Sequence, residues 1–305
     1  MNINIGSRAR AVEAAARSIF TVCAFFSVVV VVSITLYMIA NGVPALLKVG
    51  IRDILFSAVW KPTAGEPSFG ILYIILTSII GTAMAIFIGI PIALLTAVFL
   101  AEVAPKRLAA FVKPAVELLA GIPSVIYGLL GMMILNPLMY RWELKIFRDS
   151  NTHQFTGGAN LLSAVLVLAV MILPTVINIS EASLRAVPPE LKASSMALGA
   201  SHIQTIFTVL IPAAKPGIIT AIVLGVGRAI GEAMAISMVS GSSVNFPLPF
   251  ASVRFLTTAI VNEMGYAGGV HRQVLFTIGL VLFAFIMLVN IVLNAILKRG
   301  DKRDD

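Results

Sequence analysis

The chain has 305 residues, of which 59% are hydrophobic and only 12% charged, and its mean hydropathy is +0.99. Soluble domains carry about 25% charged residues, so this composition excludes a water-solvated globule and points to a protein solvated by lipid. The net charge of +8 does not argue for nucleic acid, because the basic residues stand in short clusters between apolar runs.

Six apolar runs, at about 18–40, 70–100, 110–138, 160–183, 206–240 and 270–297, reach the roughly 20 residues that cross a hydrocarbon core. The predicted fold class is all-α, a polytopic membrane protein with six transmembrane helices. Lys and Arg accumulate on the cytoplasmic side of such proteins. With both termini cytoplasmic, thirteen basic residues fall inside, from Arg8 to Arg303, against eight outside, from Lys48 to Arg272.

The first run, Ser18–Ala40, is uncharged and reads as a retained anchor, too long for a signal peptide. It holds the lone Cys23, so no disulfide forms within the chain. Residues 42–69 form an outside loop in which Trp60 is placed at the membrane interface. Gly89 and Pro91 predict a kink in the second run, and Pro123 interrupts the third within ELLAGIPSVIYG, residues 117–128. Residues 139–159 read as a polar outside loop.

The fourth and fifth runs are joined by PPELKASSMALGASHIQTIFTVLIP, residues 188–212. Pro188 and Pro189 can open a helix, Glu190 complements its dipole and Gly199 stops it. Ser201-His202-Ile203-Gln204 fits a capping box that starts a second helix. The loop is therefore two short helices on the cytoplasmic face, with a small, polar surface (Ala193, Ser194, Ser195, Gly199) that suits docking against protein.

The fifth run continues into GVGRAIGEAMA, residues 225–235, with Arg228 and Glu232 four apart. A charge at the bilayer centre costs about 2.5–3.5 kcal/mol even on lenient scales. Counted from Lys215, Arg228 lies 13 residues inward, or roughly 20 Å. On one continuous helix the two charges share a face and neutralise each other. They are either a structural ion pair or a polar spot lining a route for a charged solute. No enzyme signature accompanies them: His153, His202 and His271 have no metal-ligand spacing, and no phosphate-binding loop is present.

At the 188–212 loop a resemblance becomes specific. Permease subunits of bacterial ABC importers carry Glu-Ala-Ala, three residues, Gly, nine residues, then Ile-x-Leu-Pro. Here Gly199 is followed by nine residues and Val209-Leu210-Ile211-Pro212, with Ala193-Ser194-Ser195 at the Glu-Ala-Ala positions and Glu190 one turn earlier. ELLAGIPSVIYG and GRAIGEAMAISMVSG resemble the PstC-type permeases of phosphate importers, and the resemblance covers residues 60–297.

The resemblance implies a type I ABC importer permease fold in the bacterial inner membrane, with no catalysis and no cofactor in this chain. It divides the chain into an N-terminal cytoplasmic segment, first transmembrane helix and outside loop over 1–60, a permease core over 61–297 with transmembrane helices 2–6 and a coupling helix at about 189–199, and a cytoplasmic tail over 298–305. Implied partners are a second, PstA-like permease, a PstB-like ATPase dimer that binds ATP and Mg, and a periplasmic or lipid-anchored PstS-like phosphate-binding protein. Arg228, Glu232, Ser124, Tyr127 and Ser237 are the expected pathway residues; Glu190, Ala193, Ser194, Ser195 and Gly199 are expected to dock the ATPase. Other solutes, such as sulfate or molybdate, and the PstA-like role are the alternatives.

Overall fold

A computed structural model describes residues 7–301, and its helices follow the apolar runs. α1 (Ser7–Val49) extends well beyond the run that predicts it. Phe20, Phe25 and Phe26 stay exposed, and contact with the bundle comes from its last turns. There Tyr37 meets Phe276 edge-on at 5.5 Å, and Thr277 Oγ1 donates to the Gly42 carbonyl at 2.8 Å. α2 (Ile51–Leu55) and a hairpin of β1 (Trp60–Lys61) and β2 (Ser68–Phe69), pairing Trp60 with Phe69, occupy most of the predicted loop 42–69.

α3 (Leu72–Val98) runs through Pro91 and ends in a π-helical turn, Phe99–Val103. α4 (Lys106–Gly121) then stops, and the chain bends by 100° before α5 (Ser124–Leu130). Pro123 causes this. Its ring disfavours helical geometry at the residue before it, and Ile122 is extended at ψ 127°. A π turn, Gly131–Leu135, leads into α6 (Asn136–Ile146). Part of the stretch expected as a loop, 139–159, is therefore helix, because Met139 and Glu143, four apart, both bury against the bundle.

α7 (Leu161–Arg185) is the most enclosed crossing, and Asn160 caps it by accepting from the Ser163 amide at 3.0 Å. It packs along α3 on one side and α10 (Ile211–Gly231) on another. Between α7 and α10 stand α8 (Pro189–Ala197), α9 (His202–Thr205) and a π turn, Ile206–Leu210. α8 ends two residues before the expected 199, and Gly199 follows at φ +89°, the left-handed stop that favours glycine. The Ser201–Gln204 capping box is present in both directions. α11 (Met234–Val239), α12 (Leu256–Glu263) and α13 (Gly269–Asp301) complete the chain.

Among the described residues five helices are long and apolar enough to cross a membrane, and the bent α4 to α6 pair makes a sixth when counted as one span. Leu168, Met171 and Ile172 of α7 form the main core with Ala85 of α3, Tyr127 of α5, Ala229 of α10 and Ile236 of α11. α1 and α13 run antiparallel, with Lys48 Nζ donating to Gln273 Oε1 at 3.3 Å. Residues 302–305 of the expected tail lie outside the described residues.

Candidate functional site

Two helix breaks meet at this core. The first is the Ile122–Pro123 bend. The second overturns the continuous helix expected over 206–240: α10 ends at Gly231, Glu232 is extended at ψ 128°, and α11 starts afresh at Met234. Gly227 and Gly231 weaken the last turn. Glu232 then completes the break by accepting from the Ala235 amide through Oε1 at 2.9 Å, a side-chain acceptor for an amide otherwise orphaned at a helix start. Thr257 Oγ1 donates to the Glu232 carbonyl at 2.8 Å and fixes the other side of the break.

The expected Arg228–Glu232 ion pair is consequently absent. α10 stays helical through Gly231, but Glu232 leaves it extended, and its carboxylate is taken up by the Ala235 amide rather than by Arg228. Arg228 instead donates through a guanidinium N–H to Thr175 Oγ1 of α7 at 3.3 Å, and no ion pair holds it among the described residues. It is half-buried, while Gly227 and Gly231 on either side are exposed with no other side chain against them. One neutral hydroxyl does not satisfy a guanidinium with five N–H donors, so its remaining donors are available to an anion.

The first break lies close by. α5 packs on α11 at Gly128, where a Cβ would come within 2.8 Å of the Ala235 Cα. The Tyr127 ring is buried, and its hydroxyl donates to the Leu119 carbonyl at 2.7 Å; that carbonyl also accepts from the Ile122 amide at 3.3 Å, while Pro123 has no N–H to offer it. Ser124 opens α5 half-buried, and Ser237 donates locally to the Met234 carbonyl at 2.8 Å. The structure thus gathers Arg228, Glu232, Tyr127, Ser124 and Ser237 around the two breaks, with Glu232 serving as a cap.

The expected docking residues lie at one end of the bundle, on α8 and just after it. Glu190, Ala193, Ser194 and Gly199 are exposed, and α8 buries no residue. Ser195 differs: its hydroxyl is 2.9 Å from that of the buried Thr205. Leu191, Met196 and Leu198 are exposed apolar side chains on the same segment, the last 90% exposed.

Residues 89–303 match the family of binding-protein-dependent transport system inner membrane components. The chain belongs to this family. The permease is 39% identical to the probable ABC transporter permease protein YqgH of Bacillus subtilis over 91% of this chain and 90% of that one. It is 34% identical to the phosphate transport system permease protein PstC of Haemophilus influenzae over 78% of each chain. With the probable PstC of Methanocaldococcus jannaschii the identity is 33% over 92% of each. In fold the permease resembles a bacterial ABC transporter that imports the acidic polysaccharide alginate, at TM-score 0.62 over 95% of this chain and 99% of that chain, with 16% identity. It also resembles the inward-facing MetNI methionine transporter, at TM-score 0.54 over 73% and 93%, with 21% identity.

Sequence reading missed Thr175, whose hydroxyl accepts from Arg228, and Thr257, whose hydroxyl fixes the second break. Thr175 follows Pro174 inside α7, and that proline was the available signal. It also missed Glu181, buried beside Lys113 at 3.0 Å and Arg185, and Glu102, which receives Lys192. Each of these acids sits near a proline or a helix end, with partners 68 and 90 residues away in two cases.

Proposed function

We propose that this chain is the PstC-type half of a permease pair that carries inorganic phosphate inward across the membrane, driven by a separate ATPase. The observation that supports this reading most directly is Arg228, a guanidinium with no carboxylate partner among the described residues, at the junction of two helix breaks. Phosphate entering a low-dielectric passage needs charge-assisted donors in place of water, and a planar guanidinium supplies two parallel ones. Relatives named as phosphate permeases support the substrate. Glu232, held in its capping role, keeps a negative charge near the passage, so the anion is received without being trapped.

In this scheme α8 docks an ATPase through Glu190, Ala193, Ser194 and the apolar Leu191 and Leu198, with Ser195 and Gly199 setting its angle. ATP and Mg bind in that ATPase. Its closure pushes α8 and turns the paired permeases outward, where a phosphate-binding protein delivers the solute; hydrolysis turns them back. Both termini and α8 face the cytoplasm, in keeping with the basic residues gathered at the α8 end, Lys113, Arg185 and Lys192.

The test is phosphate uptake by vesicles holding the complete transporter. Arg228→Gln at equal protein level should abolish uptake, and Arg228→Lys should restore part of it, since an ammonium keeps the charge without the fork. Unchanged uptake by Arg228→Gln overturns the pathway role. Competition by excess sulfate or molybdate, if as strong as by phosphate, overturns the substrate.

A further inference from the structure

α8 buries no residue, yet any ATPase movement must pass from it into the crossings. Among the described residues two polar ties connect it. One is Ser195 to Thr205, which leads along the continuous helical run His202–Gly231. The other reaches a different crossing: Lys192 Nζ contacts the Glu102 carboxylate in the π turn that ends α3, and His202 Nε2 stands 3.7 Å from the same carboxylate. We infer that Glu102 is a positioning residue that carries displacement of α8 into α3, separately from α10. This rests on the reading of α8 as the ATPase-docking helix.

Three observations carry it. The Glu102 side chain is only 10% exposed and Lys192 is 34% exposed, so water screens the pair less than it would a surface pair. The same π turn is gripped from α7, where an Arg185 N–H donates to the Leu100 carbonyl at 3.0 Å; the end of α3 is therefore held by side chains from two neighbours. Finally, the wall that bears Glu102 has space on both sides. Cavities of about 660 and 510 Å³ flank it, and both are lined by Ala101, Glu102 and Arg185. A carboxylate that is held firmly by a cation, on a turn with room to shift, moves with the helix that supplies the cation. α3 in turn packs along α7, which carries Thr175 and hence the Arg228 contact.

The experiment compares phosphate uptake with ATP hydrolysis in vesicles holding the complete transporter. Glu102→Gln and Lys192→Glu should each lower phosphate moved per ATP hydrolysed by about 5-fold or more, the low end of measured couplings between sites. The double change Glu102→Lys with Lys192→Glu should recover most of that ratio, which a merely structural loss would not allow. Co-purification of the ATPase with Glu102→Gln separates the two readings. If the ATPase fails to bind even the unaltered chain, docking at α8 is wrong. If it binds and Glu102→Gln transports at the unaltered ratio, or the swap recovers nothing, the tie through Glu102 is overturned.

Discussion

The Tyr127 hydroxyl donates to the Leu119 carbonyl across the 100° bend between α4 and α5. The bond joins two helix segments that share no backbone ladder, and it adds a second donor, beside the Ile122 amide, to a carbonyl that lipid cannot serve. Tyr127→Phe keeps the buried ring and removes only the donor. It should lower stability by about 1 kcal/mol, seen as a small drop in the melting temperature of the purified protein, with the helical content unchanged. An unaltered melting temperature would show that the bend holds itself.

Glu232 offers a sharper contrast. As a cap it needs an acceptor oxygen, which glutamine also provides; as an ion-pair partner it needs charge. Glu232→Gln should therefore fold almost as well as the unaltered chain, whereas Glu232→Ala should cost about 1 kcal/mol in the same melting assay. Equal losses for both would return Glu232 to a charge-pairing role.

At Gly128 the backbones of α5 and α11 are in near contact. Gly128→Val places a branched side chain against the Ala235 Cα and must push the helices apart, at a cost of about 1–3 kcal/mol. The readout is twofold. Melting temperature should fall, and phosphate uptake should fall further than the amount of folded protein explains, since both helices border the breaks around Arg228.

At the opposite end of the bundle from α8, Glu263 is almost fully buried. It receives Arg254, accepts from Trp60 Nε1 at 3.1 Å and meets His271 Nε2 at 2.7 Å. These contacts tie the β hairpin, α12 and α13 together. Glu263→Ala strips three partners at once and leaves Arg254 sheltered and uncompensated, a loss of about 3–5 kcal/mol. Protease cleavage of the hairpin, residues 60–69, should become rapid; continued protection would show that packing of Phe69 alone secures it.

The six runs, the bend at Pro123, the start of α8 and the Ser201 capping box were all legible in the sequence, because each depends on local chemistry: apolar length, a missing amide hydrogen, a side chain reaching three residues along. The state of Arg228 was not. Helical spacing set Glu232 four residues away, but the chain breaks between α10 and α11 because Glu232 caps Ala235 and Thr257, 25 residues on, holds its carbonyl. That choice is tertiary, as is the pairing of Glu102 with Lys192 over 90 residues. α6 was missed for a related reason: a short polar segment becomes helix when Glu143 finds His153 at 2.8 Å and the Thr156 amide at 2.9 Å in the loop that follows.

Gly217 lets α10 cross α7 so closely that a Cβ there would come within 2.1 Å of Ser183 Oγ. It stands near the middle of the rod that runs from His202 to Gly231, so the two arms are each about 22 Å long at 1.5 Å per residue. Such a rod is a balanced lever with its fulcrum at the glycine. A tilt of about 5° would swing the His202 end and the Arg228 end by about 2 Å each, in opposite senses, with no change in the helix itself.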